Sequence, residues 1–96
     1  MKPTARLRAL LNESRCIVAP GVADALAARL VALEGFEAIY MTGFGTSLTR
    51  LGMPDVGLLT ASEMVDNASR IADASGLPLI ADADTGYGNP INVRRT

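Results

Sequence analysis

The chain has 96 residues, with 9 basic and 10 acidic side chains, no histidine and one cysteine. Apolar residues make up 49% and charged residues 20%, a composition typical of globular domains that excludes collagen-like and disordered chains. The formal net charge of -1 gives no electrostatic reason to expect nucleic acid or an anionic membrane surface as a partner. Without histidine, Ser-His and Cys-His catalytic pairs are excluded within these residues.

The single cysteine, and an N-terminus that does not resemble a signal peptide, both favour a reducing compartment. The single cysteine, Cys16, cannot form an internal disulfide, and no CxxC or Cys/His cluster offers a zinc site. No apolar run is long enough for a signal peptide or a membrane span. We therefore expect a cytoplasmic protein. Cys16 lies early in a predicted strand, so we expect it to be a small core residue rather than a nucleophile.

Short apolar runs alternate with helical patterns along the whole chain. In chain order the pattern indicates a short amphipathic opening over 6–11, a strand over 16–19, a helix over 23–34 and a strand over 37–42. A glycine-rich segment over 43–47 and an irregular stretch over 52–57 follow, then a helix between 60 and 76, a strand over 79–84, a loop over 85–90 and the start of a helix over 91–96. In the first long helix, Leu26, Leu30 and Leu33 share one face.

The second long helix has the clearest boundaries. Thr60 and Glu63 form a capping box, in which each side chain accepts from the backbone N–H of the other residue. Gly76 ends the helix and Pro78 prevents its continuation. Met64, Ala68, Ile71 and Ala72 recur within it at helical spacing.

Alternating strands and helices predict an α/β fold with parallel strands in one sheet and helices on its outside. About three strands are few for a parallel sheet, because such sheets are normally buried on both faces. The last predicted helix also has only about one turn. We therefore expect residues 1–96 to be the N-terminal piece of a larger domain, with a complete small three-layer domain as the alternative.

Two acidic residues, Asp82 and Asp84, end the third predicted strand. Residues two apart on a strand point to the same face, and ligand sites in parallel sheets form at the carboxyl ends of the strands. We therefore expect both carboxylates to converge, with Ile80 on the same face and Leu79, Ala81 and Ala83 toward the helices. Two hard oxygen ligands suit Mg²⁺ or Mn²⁺, and like charges this close need a cation or a proton. In the alternative, one Asp forms the turn and the other is solvated.

The segment after the second predicted strand is rich in glycine and hydroxyl groups. Tyr40 and Thr42 share a face, and Gly43 and Gly45 let backbone amides approach an anion closely. Dinucleotide binding is excluded, because Leu48 stands where a third glycine is needed and the segment is not expected to open a helix directly. A phosphate loop is excluded because no Gly-Lys-Ser/Thr follows. A plain glycine turn is the alternative.

Asp55 lies in the irregular stretch, directly after Pro54. On spacing alone, an Asp in this position is usually a turn residue. Arg50 either pairs with it or stays solvated, and the sequence leaves both possibilities open.

Four segments together resemble the isocitrate lyase/phosphoenolpyruvate mutase superfamily. Residues 80–89 (Ile-Ala-Asp-Ala-Asp-Thr-Gly-Tyr-Gly-Asn) resemble its metal-binding stretch, and residues 17–28 its first strand and helix. Residues 40–43 and 52–57 resemble its second strand and the loop that follows. The match is in order and covers nearly the whole chain. It implies that residues 1–96 are an N-terminal fragment of a single modified (β/α)₈ barrel domain, supplying about three of its parallel strands.

The resemblance assigns roles to particular residues. It implies that Asp82 and Asp84 hold Mg²⁺, or Mn²⁺, directly or through water, while Asp55 orients a metal-bound water. The residues implied to line the pocket for the substrate carboxylate are Tyr40, Thr42, Gly43 and Phe44. Phe44 replaces the small residue of methylisocitrate lyases, and residues 43–47 look closer to dimethylmalate lyase-like or oxaloacetate decarboxylase-like members.

The implied function is that of a Mg²⁺-dependent carbon–carbon lyase, acting on a small 2-hydroxy or 2-keto dicarboxylate through a metal-stabilised enolate. A homo-oligomer without nucleic-acid or membrane partners, completed by the rest of the barrel, is also expected. The Lys-Lys-Cys-Gly-His loop of such lyases is missing here, so no catalytic residue is identified and the isolated 96 residues are expected to be inactive. The alternatives are an oxaloacetate decarboxylase or phosphonate mutase on the same scaffold, or a non-catalytic assembly module pairing through a strand edge.

Overall fold

A computed structural model describes residues 1–96. Its helices are α1 (Pro3–Leu11), α2 (Ala25–Leu33), α3 (Gly43–Leu51), α4 (Ala61–Ser75) and α5 (Pro90–Arg95), and its strands are β1 (Gly21–Val22), β2 (Ile39–Met41) and β3 (Leu79–Ala81). None of these helices combines the length and apolar character that crossing a membrane would need.

The three strands form one open parallel sheet in the order β1-β2-β3. Met41 pairs with Val22 on one side, and Tyr40 pairs with Ile80 on the other. Helices α2 and α4 pack against each other, and the core lies between them and one face of the sheet. The fully buried residues Ile39, Met41 and Ile71 form its centre. The predicted α/β architecture with parallel strands is therefore confirmed.

The first strand begins later than predicted. Residues 16–19 form no strand, and the pairing starts at the carbonyl of Pro20, which accepts from the Tyr40 N–H at 3.0 Å. Proline is tolerated at position 20, because the pairing uses its carbonyl and needs no N–H there. Cys16 consequently lies outside the sheet and is exposed, so its prediction as a core residue is wrong.

The leucine face of α2 is not the face that packs. Leu26, Leu30 and Leu33 are 71%, 55% and 78% exposed. Instead, Ala28 is fully buried, and Ala27 and Val31 pack against the same core. Short alanine side chains let a helix approach its neighbours closely, which explains why this narrow face lies inward.

Helix α3 begins within the glycine-rich segment 43–47. The Thr42 side chain caps it by accepting from the Gly45 N–H at 3.0 Å. Glycines in the first turn lower the helix propensity, but this cap and the burial of Thr46 and Ser47 offset that loss. The expectation that the segment does not open a helix is therefore wrong, and the argument against dinucleotide binding now depends on Leu48 alone.

Helix α4 has the predicted boundaries. The Glu63 N–H donates to Thr60 Oγ1 at 3.2 Å, and the Thr60 N–H donates to Glu63 Oε1 at 3.0 Å, which completes the capping box. Gly76 ends the helix with a left-handed φ of 66°. Met64 and Ile71 are buried as the helical spacing indicates.

We expect Thr60→Ala to lower the free energy of unfolding by about 1 kcal/mol, because the Glu63 N–H loses its partner at the helix start. Urea denaturation followed by circular dichroism would measure this change. Ser62→Ala is the matched control, since Ser62 is exposed in the same turn and makes no capping bond. Equal stability of the Thr60→Ala variant and the wild type would contradict the role of the cap.

Candidate metal and substrate site

The carboxyl ends of β2 and β3 meet at one edge of the sheet. Asp82 follows β3, and its N–H donates to the Met41 carbonyl at 3.3 Å, so the pairing continues one residue past the strand. On the neighbouring strand, the chain passes from Met41 through Thr42 directly into α3. The end of β3 and the first turn of α3 are thereby brought side by side.

The Asp82 carboxylate lies so close to Gly43 that any side chain at position 43 would have to displace it. A Cβ atom built on Gly43 would lie 2.3 Å from Asp82 Oδ2, far inside van der Waals contact. The carboxylate therefore occupies the space that a side chain at position 43 would fill. It lies beside the N-terminal turn of α3, where the helix dipole favours negative charge.

Asp84 does not continue the strand, so the predicted alternation fails there. Strand β3 ends at Ala81, and Asp84 has a left-handed φ of 45°. The Asp84 N–H donates to Asp82 Oδ1 at 2.8 Å, a local turn of the kind Asp residues favour. A turn and not a shared strand face therefore brings the two carboxylates near each other, and Asp84 remains exposed.

The charges of this edge are predominantly negative. Partial burial raises the pKa of the Asp84 carboxyl above its ordinary value, and the charges of Asp82 and Asp55 raise it further. Burial also raises the pKa of the Tyr87 phenol, and the same three carboxylates add to that shift. The charges of Asp55 and Asp82 thus both act on Asp84 and on Tyr87.

The chemistry of this donor set fits a hydrated divalent cation. Carboxylate oxygens are the hard ligands that Mg²⁺ takes, and Mg²⁺ usually keeps several waters and binds through one or two carboxylates. No three acidic or cysteine side chains converge into a closed ligand cage. The assignment of Asp82 and Asp84 as ligands, with Asp55 acting through water, therefore stays a prediction.

Three of the four residues expected to bind substrate lie together at the start of α3. Thr42 caps the helix, while the N–H groups of Gly43 and Phe44 make no hydrogen bond within the chain. Unpaired N–H groups at a helix start are suited to a carboxylate. Phe44 is 57% exposed beside them. Tyr40 lies within β2, on the sheet face opposite the buried Ile39 and Met41.

Arg50 does not pair with Asp55. Its guanidinium lies 3.5 Å from Asp66 on α4, which also binds Arg70 at 3.0 Å. Arg50 thus neither pairs with Asp55 nor stays free in solvent, but joins α3 to α4 through Asp66. The distance between Arg50 and Asp55 in the sequence gives no sign of this contact.

Sequence reasoning missed Tyr87 as a support of this edge. Its hydroxyl donates to the Asp82 carbonyl at 3.3 Å, and its ring packs against the hydrophobic core. The residue lies beside a cavity of about 140 Å³ on the helix side of the sheet, which Asp82, Ala81 and Ala83 also line. The only sequence signal was an aromatic residue between two glycines.

The family model of phosphoenolpyruvate phosphomutase matches residues 7–96. The chain belongs to the phosphoenolpyruvate mutase/isocitrate lyase superfamily. The family indicated by the four sequence segments is therefore confirmed.

Individual superfamily members resemble the chain closely. The 2,3-dimethylmalate lyase of Eubacterium barkeri is 53% identical over 96 residues, which cover all of this chain and 33% of that protein. The structure of an oxaloacetate acetylhydrolase superposes with a TM-score of 0.90 at 51% identity, covering 97% of this chain and 34% of that one. The structure of a phosphonopyruvate hydrolase in complex with oxalate and Mg²⁺ superposes with a TM-score of 0.92 at 35% identity. The match covers 100% of this chain and 34% of that one. The chain spans about a third of the length of these relatives, and its fold is that of β/α units of the superfamily barrel.

We expect Gly43→Ala to weaken Mg²⁺ binding by about tenfold or more, because the new Cβ must displace the Asp82 carboxylate. The fold should survive, since only the end of a side chain has to move. Isothermal titration calorimetry with MgCl₂ measures the affinity. Gly21→Ala is the control, because a Cβ there meets nothing within 4 Å. Unchanged Mg²⁺ affinity of the Gly43→Ala variant would contradict the assignment of Asp82 as a metal ligand.

We expect Asp84→Asn to raise the thermal midpoint at pH 7 without metal. A carboxyl whose pKa is raised by folding stabilises the protein most below its ordinary pKa of 3.8, and this stability is lost as the pH rises through the raised value. The advantage of the variant should therefore vanish in acid. A pH series of thermal melts in EDTA measures it, and a lower midpoint of the variant at pH 7 would contradict the repulsion among the three carboxylates.

Proposed function

We propose that this chain supplies the metal-binding and carboxylate-binding edge of a Mg²⁺-dependent carbon–carbon lyase that acts on a small 2-hydroxy or 2-keto dicarboxylate. The observation that carries the proposal is the contact between the Asp82 carboxylate and the first turn of α3. The contact brings a carboxylate beside the N–H groups of Gly43 and Phe44, which supports a cation site next to a carboxylate-binding turn. The resemblance to a 2,3-dimethylmalate lyase and an oxaloacetate acetylhydrolase supports the substrate class.

In this proposal Asp82 and Asp84 hold the cation, and Asp55 orients one of its waters. When bound, Mg²⁺ supplies a Lewis acid that stabilises the negative charge of an enolate as the neighbouring bond breaks. The N–H groups of Gly43 and Phe44 bind and orient the substrate carboxylate. The Thr42 hydroxyl, which accepts from Gly45, keeps its own proton to donate to the same carboxylate.

A phosphonate mutase or hydrolase is the second candidate, because the matching family model is that of phosphoenolpyruvate phosphomutase. The identities favour the lyase, at 53% and 51% for the dimethylmalate lyase and the acetylhydrolase. They are 44% for a carboxyvinyl-carboxyphosphonate phosphorylmutase and 35% for the phosphonopyruvate hydrolase. Competition between phosphonopyruvate and 2,3-dimethylmalate for the same Mg²⁺-dependent site would separate the two. Tighter binding of phosphonopyruvate would favour the second candidate.

Oxalate is a direct probe of the proposed site, since it presents two carboxylates to one cation. We expect oxalate to bind the chain with MgCl₂ and not with EDTA, as measured by calorimetry. Asp84→Ala should lose this binding, whereas Asp73→Ala, an exposed acidic residue on α4, should keep it. Equal binding in EDTA, or equal binding by the Asp84→Ala variant, would contradict the metal assignment.

For the 96 residues alone we expect no cleavage of 2,3-dimethylmalate or oxaloacetate, because no proton-transfer group is identified among them. Product formation with MgCl₂ measures this, with a protein-free sample as control for metal-catalysed decarboxylation. Turnover above that background would show that an acid or base within the chain has been overlooked. In an active enzyme carrying this segment, Asp84→Ala should abolish Mg²⁺-dependent turnover while the circular dichroism spectrum stays unchanged.

A further inference from the structure

A buried polar contact joins three elements behind the candidate site. Asn67 of α4 is only 5% exposed, and its amide Nδ2 donates to the Ala23 carbonyl at 2.9 Å and to Thr46 Oγ1 at 3.3 Å. Ala23 follows β1, and Thr46 lies in α3. One side chain of α4 therefore holds both the loop after β1 and the helix that carries the carboxylate-binding turn.

The contact continues from Thr46 into that turn. Thr46 is fully buried, and its hydroxyl donates to the Thr42 carbonyl at 2.6 Å. Because this bond uses the hydroxyl proton, Thr46 Oγ1 is left as an acceptor, and the Asn67 amide supplies the matching donor. The Thr46 hydroxyl can therefore donate to Thr42 and accept from Asn67 at the same time. Asn67 thus acts on the cap residue Thr42 through the hydroxyl of Thr46.

The first turn of α3 also lies directly against the loop that Asn67 holds. A Cβ atom built on Gly45 would lie 3.3 Å from the Ala23 Cβ, closer than most side chains tolerate. Asn67 thus bridges the two sides of a tight contact between Ala23 and α3. A shift of either side would move the N–H groups of Gly43 and Phe44 and the space that the Asp82 carboxylate occupies.

We infer that Asn67 is a positioning residue, which holds the first turn of α3 in the geometry that binds a carboxylate. The inference rests on the proposed function for its chemical purpose, and on the contacts of Asn67 for its mechanism. A buried amide is tolerated only when its hydrogen bonds are made, and both acceptors of Asn67 Nδ2 lie on elements that border the site.

Asn67→Leu tests this role, since leucine has a similar shape and no donor. Ile71→Val is the control, because Ile71 is fully buried one turn further along α4 and lies outside the polar contact. Two quantities are measured on the 96-residue chain: the hydrogen exchange rates of the Gly45 and Thr46 amides without ligand, and the oxalate affinity at saturating MgCl₂. For Asn67→Leu we expect at least about tenfold faster exchange and at least about tenfold weaker oxalate binding. For Ile71→Val we expect neither change beyond its effect on global stability.

Thr46→Val is a second variant that interrupts the same contact and covers the case in which Asn67→Leu fails to fold. Because both substitutions remove the bond between Asn67 and Thr46, the double variant should lose less oxalate affinity than the sum of the two single losses. Additive losses in oxalate affinity would overturn the inferred action of Asn67 on the first turn of α3 through Thr46.

The outcomes also separate this inference from the proposed function. Faster exchange with unchanged oxalate affinity would overturn the positioning role, because Asn67 would then serve the core alone. If the wild type binds no oxalate, the proposed function is contradicted. The role of Asn67 is then tested only by the hydrogen exchange rates of the Gly45 and Thr46 amides. Faster exchange at Gly45 and Thr46 in Asn67→Leu would then support its hold on α3, and wild-type exchange would overturn it.

Discussion

The contact between Asp82 and Gly43 is the constraint on which the candidate site depends. The Asp82 carboxylate at the end of β3 occupies the space that a side chain on Gly43, at the start of α3, would need. The parallel pairing of β2 with β3 brings these two positions together. The same register orders the carboxyl ends of the strands along one edge, where parallel sheets commonly bind ligands.

Negative charge accumulates at that edge and gives the site its chemical character. Burial raises the pKa of the Asp84 carboxyl, and the charges of Asp82 and Asp55 raise it further. A bound cation or a proton reduces the repulsion between carboxylates that lie this close. The neighbouring N–H groups of Gly43 and Phe44 offer the opposite polarity, and together the two features suit a carboxylate that also contacts a cation.

The helices support this edge from one side of the sheet only. The core lies between the sheet and α2 with α4, and Asn67 of α4 reaches through it to α3. On the opposite face Tyr40 and Ile80 are neighbours in register, and Ile80 is 39% exposed. The leucines of α2 are exposed as well, in a chain that spans about a third of the length of its relatives.

The sequence by itself determined the features that depend on neighbouring residues: the capping box of Thr60 and Glu63, the helix end at Gly76 and the motifs that identify the superfamily. It also predicted the parallel sheet, because alternating strand and helix patterns permit few topologies. Only the tertiary structure decided that α3 begins at Gly43, that the leucines of α2 face outward, and that a turn and not a strand carries Asp84. Each of these depends on a contact between segments distant in the chain, such as Asp82 against Gly43, and no local pattern of residue types records such a contact.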